Sequence, residues 1–135
     1  MKSRLDPYLH FAGDCRAAME FYRSVFGGTL ELTTLGEAGL PPEAGNPEHV
    51  MHAMLAAGEH LTFMASDMSD VTTRGNVSMT ISGDNADELA GWFEALAAGG
   101  SISEPLAAAP WGDTFGMIDD RFGIHWMFNI AGPRQ

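Results

Sequence analysis

The sequence predicts an α+β domain made of two βαβββ modules, with curved mixed sheets enclosing a cleft and helices on the outer faces. Three observations carry this. Gly13-Asp14 and Gly27-Gly28 recur as Gly83-Asp84 and Gly99-Gly100, an offset of about 70 residues. Between each Gly-Asp and the following Gly-Gly, apolar residues recur at helical spacing. Each such stretch has one alternating segment before it and three after it. A lone module would leave one sheet face bare, so two modules are expected to pair. Module 1 covers about 5–67 and module 2 about 76–131.

In module 1, residues 8–12 alternate, with Leu9 and Phe11 facing the helix and Tyr8 and His10 facing away. Gly13 breaks the strand and Asp14 is placed to cap a helix over 16–26. Ala18, Phe21, Tyr22 and Val25 form its apolar stripe, and Gly27-Gly28 ends it in the left-handed conformation glycine tolerates. A strand follows at 29–35. Residues 36–47, GEAGLPPEAGNP, read as a long loop, a flap or an interaction loop. Strands at 49–56 and 60–65 are joined by Ala57-Gly58-Glu59, and 67–75 is a polar loop.

In module 2, Val77, Met79 and Ile81 alternate with Ser78, Thr80 and Ser82. A helix is expected over 86–98, with Leu89, Trp92, Phe93 and Leu96 on one face. Strands follow at 101–106, 114–119 and 124–130, the last two joined by an acidic turn, Asp119-Asp120-Arg121-Phe122-Gly123.

The chain has 135 residues, one domain's length, with 45% hydrophobic and 19% charged residues, as in ordinary globular proteins. Its net charge of −11 opposes binding to nucleic acid and to anionic membranes. The single cysteine, Cys15, excludes an intrachain disulfide. The opening MKSRLDPYLH lacks the apolar core of a signal peptide, and no run reaches the roughly 18 apolar residues of a membrane span, so a cytoplasmic location is expected.

Two stretches carry a family resemblance. One is Pro7-Tyr8-Leu9-His10-Phe11-Ala12-Gly13-Asp14-Cys15, continuing through Met19-Glu20-Phe21-Tyr22 to Val25-Phe26-Gly27-Gly28. The other is Trp111-Gly112-Asp113-Thr114-Phe115-Gly116-Met117 with Asp119-Asp120-Arg121-Phe122-Gly123-Ile124-His125-Trp126-Met127. Val50-Met51-His52-Ala53 and Phe63-Met64-Ala65-Ser66-Asp67 add to them. Together they resemble the PhnB-like branch of the vicinal oxygen chelate (glyoxalase/bleomycin-resistance/dioxygenase) superfamily. The resemblance implies paired βαβββ modules and usually a homodimer, sometimes with elements exchanged between subunits. It implies no defined reaction, because the superfamily includes lyases, dioxygenases, antibiotic-modifying enzymes and non-catalytic drug-binding proteins. Members of this branch are often labelled methyltransferases of ubiquinone synthesis, but the chain has no glycine-rich strand-to-helix loop of the kind that cradles a nucleotide cofactor.

The resemblance also implies where a metal would sit: on the first strand of each module, usually at histidine, and on each last strand, usually at a carboxylate. The first-strand positions fall on Tyr8, or on Pro7 with a slip of one, and on Ser78. Neither 60–65 nor 124–130 contains an acid, and the expected glutamate position falls near Met127. Divalent metals need anionic or imidazole donors, so no standard metal site and no cofactor are expected.

Of the histidines, His10 and His52, with His125 as a third, are the candidates for an unconventional metal site; the plainer reading of each is a hydrogen-bonded or half-exposed side chain. Cys15 at a helix start is a candidate nucleophile, set against a small buried residue beside a turn. Trp111 and Asp113 are read as a cleft roof and a polar ligand contact, set against a turn with a core or interface tryptophan. Met51, Met54, Met64, Met68, Met79, Met117 and Met127 suit either a soft apolar cavity or core packing. The expected cleft set is Tyr8, His10, His52, Met64, Ser78, Thr80, Trp111, Asp113, His125 and Met127.

Three functions compete. The leading one is metal-free binding of a small apolar or aromatic molecule. The second is a lyase, dioxygenase or transferase with a histidine-based metal site. The third is a partner of another protein, acting through loop 36–47.

Overall fold

The computed structural model describes residues 3–67 and 76–133. The order of elements is β1 (Tyr8–His10), α1 (Cys15–Phe26), β2 (Thr29–Thr34), β3 (Val50–Ala56), β4 (Thr62–Ser66), β5 (Met79–Gly83), α2 (Ala86–Ala97), β6 (Ser101–Ala108), β7 (Thr114–Asp119) and β8 (His125–Ile130). Each module is strand, helix and three strands, as the repeat predicts. The strand orders are β1-β4-β3-β2 and β5-β8-β7-β6, so the two sheets share one topology. In each, the first strand runs parallel to the last and the other pairs are antiparallel. The chain divides into two compact units near residue 72. Among the described residues no helix is long and apolar enough to cross a membrane.

In module 1, alternation sends Leu9, Ala53, Leu55, Phe63 and Ala65 to one side, all buried against α1. Tyr22 and Phe26 meet the Phe63 ring at 5.5 and 6.5 Å. The buried stripe of α1 is Cys15, Ala18, Met19, Tyr22 and Phe26. It is rotated from the predicted one, leaving Phe21 and Val25 half-buried.

In module 2, Ile118, Trp126, Phe128 and Ile130 are buried on the side that takes Leu89, Phe93 and Leu96 of α2. Phe93 meets Phe128 edge-on at 5.4 Å. Gly116 makes this close approach possible, since a Cβ there would stand 2.8 Å from the Phe93 ring.

Several boundaries differ from the sequence expectation. The β3–β4 turn is five residues long, closed by Ala57 N–H donating to the Leu61 carbonyl at 2.8 Å. His60 therefore sits in the turn and not in a strand. Strand β5 starts at Met79, so Val77, 77% exposed, and Ser78 precede it. Strand β6 continues to Ala108 past Pro105, which an edge strand with register shifts accommodates. Residues 68–75 of the second polar loop lie outside the described residues.

Loop 36–47 is tied down at its ends. Thr34 N–H donates to Glu37 Oε1 and Glu37 N–H donates to Thr34 Oγ1, at 3.0 and 3.1 Å. The Thr34 amide first, and the Thr34 hydroxyl second, hold the Glu37 carboxyl below its ordinary pKa. Gly36 N–H meets the Pro47 carbonyl at 3.0 Å, and Leu35 is buried beneath the loop.

The start of α1 is the main surprise of module 1. Asp14 occupies the N-cap position but makes no side-chain cap. Asp67, just beyond β4, does the work instead. Its Oδ1 accepts from the Gly13 and Cys15 amides at 2.8 and 2.9 Å, and its Oδ2 accepts from the Val50 amide at 2.9 Å. One carboxylate thus joins the ends of β1, α1, β3 and β4. Asp67→Ala is expected to destabilise the protein by about 3 kcal/mol, because three amides lose a charged acceptor. Asp14→Ala should stay within about 0.5 kcal/mol of wild type. Urea unfolding of both variants checks this, and equal midpoints would remove Asp67 from its assigned role.

Candidate functional site

The chemistry-bearing side chains lie on the sheet faces that carry no helix, and each module has its own set. In module 1, the register aligns Tyr8 with Met64 and Met64 with Met54. Two positions along, His10 pairs with Ser66 on the same face. The Tyr8 ring lies 5.2 Å from the His10 ring and 5.8 Å from the His52 ring. The Tyr8 hydroxyl is 3.3 Å from His52 Nδ1. The structure thus brings together Tyr8, His10, His52 and Met64, an exposed aromatic cluster beside two methionines.

In module 2, the same face reads as three rungs across β7, β8 and β5. Asp119 pairs with His125, Met117 with Met127 and Thr80, and Phe115 with Asn129 and Ser82. Beyond the last rung stands Trp111, 57% exposed. Its indole N–H donates to Asn129 Oδ1 at 3.0 Å, and its ring meets Phe115 edge-on at 5.6 Å. Asn129 Nδ2 in turn donates to Asp113 Oδ2 at 2.9 Å, and Asp113 Oδ1 accepts from the Gly132 amide at 2.9 Å. A Cβ at Gly132 would collide with the Gly112 carbonyl, so glycine lets the chain come close enough for that last bond.

Asp113 is therefore buried with both oxygens engaged inside the protein. It orients Asn129 and through it Trp111. Trp111 is not core: it stands in the turn closed by the Gly112 amide donating to the Ala109 carbonyl at 3.0 Å, with its ring exposed. Ser78, exposed and outside β5, has no strand neighbour to fix it. Thr80, Met127 and His125 lie on the face as expected. Met79 falls on the helix side of its strand by alternation, Met51 is the extra residue of a bulge in β3, and Met68 lies outside the described residues.

Two functional partners were missed from sequence. Asn129 follows Met127 by two positions, so alternation alone puts it on the open face. Asp119 closes β7, as the strand over 114–119 predicts, and accepts from His125 Nδ1 at 2.8 Å, a pairing that no spacing signalled. The neighbouring Asp120 is the real turn former. It is buried, accepts from the Phe122 and Ile124 amides at 2.8 and 3.1 Å, and accepts from the Trp126 indole at 2.8 Å.

The positions that the resemblance assigns to metal ligands hold Tyr8, Ser78 and Met127, which do not fit a divalent ion. His10 and His52 flank Tyr8, but among the described residues no group of three or more His, Cys, Asp or Glu is placed to hold a metal. A groove of about 450 Å³ between α1 and β2 is lined by Arg16, Glu20, Arg23, Leu30, Leu32 and Glu37. None of the expected site residues line it.

Cys15 is fully buried. Burial, followed by the Asp67 and Asp14 charges, pushes its thiol up to about 12. The helix dipole, which favours a thiolate, is outweighed, and the nucleophile reading is corrected.

Comparison with known proteins agrees with this architecture. The model of the Glyoxalase/Bleomycin resistance protein/Dioxygenase superfamily matches residues 4–128. Protein YjdN of Escherichia coli (strain K12) is 30% identical over 140 residues, covering 94% of this chain and 95% of YjdN. Protein PA1353 of Pseudomonas aeruginosa superposes with a TM-score of 0.85 at 35% identity, covering 98% and 100% of the two chains. A PhnB protein from Bacillus cereus superposes with a TM-score of 0.76 at 26% identity, covering 96% and 100%.

Two outcomes are expected from this geometry. Native Cys15 should resist a thiol reagent at pH 8 and react once the chain is unfolded in guanidinium. Its neutral form contributes stability fully below the ordinary pKa of 9.0, and that contribution is lost as pH rises toward about 12. Rapid native labelling would contradict the assignment. Asn129→Leu should cost about 2 kcal/mol by leaving the Asp113 carboxylate short of a donor. It should also narrow and shift the Trp111 resonance in fluorine NMR of 5-fluorotryptophan protein, whereas an unchanged resonance would mean that the indole is held by something else.

Proposed function

This chain belongs to the Glyoxalase/Bleomycin resistance protein/Dioxygenase superfamily, and from that premise we propose that it binds a small apolar or aromatic molecule without the metal used by the superfamily's enzymes. The observation that carries this reading is the fixed, exposed Trp111. The indole is 57% exposed, which leaves a large aromatic surface open to a flat ligand. Here its orientation is set in advance by the Asn129–Asp113–Gly132 relay, so a ligand ring meets a surface that does not have to be ordered first.

The floor beside it supports the same reading. Met117 and Met127 lie side by side, and methionine adapts to irregular apolar shapes. Module 1 adds a second such surface in Tyr8, His10 and Met64. A metal-dependent reaction draws no support from the donors, because methionine, tyrosine and serine occupy the ligand positions. The assembly we propose is a homodimer, which light scattering of the purified protein reads directly.

The test is a thermal-shift screen of hydrophobic and aromatic compounds against wild type and Trp111→Ala. A ligand at 100 times its Kd stabilises a protein by about 2.7 kcal/mol. Planar aromatic compounds are expected to raise Tm in wild type and to lose most of that effect in the variant, whose own Tm should be little changed. No stabilisation by any compound, or equal stabilisation of both proteins, would overturn the proposal.

A further inference from the structure

The open face of module 2 has two dissimilar ends, and the far one says what the ligand carries. This inference rests on the binding reading above and specifies the ligand's chemistry. At one end stand Trp111, Phe115 and Asn129, and at the other Asp119 and His125. Glu104, Met117, Met127 and Thr80 form the rung between them, with the Glu104 carboxylate on the outer strand β6. His125 and Asn129 are four residues apart on β8, which is about 13 Å along an extended strand.

The Asp119 carboxylate accepts from His125 Nδ1 at 2.8 Å. That bond places the ring proton of neutral imidazole on Nδ1 and makes Nε2 a hydrogen-bond acceptor. The histidine side chain is 26% exposed and that of Asp119 49% exposed, so the pair is within reach of a bound molecule. The pair carries a net negative charge while the imidazole is neutral, and the chain as a whole carries −11. A carboxylate or phosphate on the ligand would be repelled here, whereas a neutral O–H donor would be accepted.

We propose that this face takes an elongated aromatic alcohol or phenol. Its ring lies against Trp111, its body crosses Met117 and Met127, and its hydroxyl donates to His125 Nε2. Asp119 is a positioning residue that fixes the imidazole tautomer. The interaction is a hydrogen bond and requires no bond making or breaking in the ligand.

Three rods of the right length separate the possibilities: trans-stilbene, trans-4-hydroxystilbene and trans-4-methoxystilbene, with Kd measured by equilibrium dialysis. A net hydrogen bond corresponds to a roughly 3- to 10-fold preference for the hydroxyl compound over the methoxy compound in wild type. His125→Leu should reduce that preference to about one while leaving the affinity for stilbene intact. Asp119→Asn, in which the amide can donate to Nδ1 and move the ring proton to Nε2, should also reduce it. Equal affinities for the hydroxy and methoxy compounds in wild type would overturn this inference while leaving apolar binding standing. A hydroxyl preference that survives in His125→Leu would overturn it too. Failure of all three compounds to bind would overturn both this inference and the reading beneath it.

Discussion

The Asp67 carboxylate takes three main-chain N–H groups from two separate stretches of module 1 and so decides where β1, α1, β3 and β4 meet. A helix start leaves amides without intrahelical partners, and a strand end does the same. A single buried or half-buried acid answers both needs when it stands at their junction. Module 2 meets the same need with two acids. Asp120 ties the β7–β8 turn to the Trp126 indole, and Asp113 ties the approach to β7 to the chain after β8. Among the described residues no buried side-chain nitrogen or oxygen lacks a partner, so these clamps leave nothing polar stranded.

This use of acids bears on the chemistry. The chain is rich in carboxylates, yet the strands that face a potential ligand carry methionine in their middle rungs, at Met64, Met54, Met117 and Met127. The acids that clamp the fold sit at strand ends, where they bind amides or, in Asp119, a histidine, while Glu31 and Glu104 stand mid-strand on the outer strands β2 and β6, paired with Met54 and Met117. A fold that elsewhere presents carboxylates to a metal here presents polarisable apolar side chains. Among the polar groups on the faces, Tyr8, His52, Thr80 and Asn129 are uncharged hydrogen-bonding groups suited to orienting an uncharged molecule.

Much of the fold was legible in the sequence because the repeat and the alternation are strong local signals. Gly-Asp and Gly-Gly punctuate both modules, and the side of each strand follows from the parity of residues such as Leu9, Phe63, Trp126 and Phe128. The errors occurred where a local signal was overridden. Asp14 has the right type and place for a cap, but Asp67 arrives from far along the chain and takes the amides. Val77 and Ser78 continue the alternation of β5, yet no neighbouring strand pairs with them. His60 looked like a strand start until a five-residue turn absorbed it. The site was partly legible for the same reason. Alternation put Thr80, His125 and Met127 on the open face, but no spacing rule links Asp113 to Asn129 or Asn129 to Trp111.

Asn129 shows how narrowly that last linkage is specified. Its amide must accept from an indole N–H on one side and donate to a carboxylate on the other. Aspartate could accept from Trp111 but would set a second negative charge against Asp113. Leucine would take away the acceptor of the Trp111 indole and one of the donors to Asp113. A hydroxyl is too short to span the gap from a strand to both groups. Only an amide of this length satisfies the two demands at once, and its two distinguishable ends fix which way it points. The relay would be needless if Trp111 were core, because packing alone would then hold the ring. That an exposed indole is held by a directional chain ending in a buried acid argues that its orientation matters to something outside the module, which is the property of a binding surface.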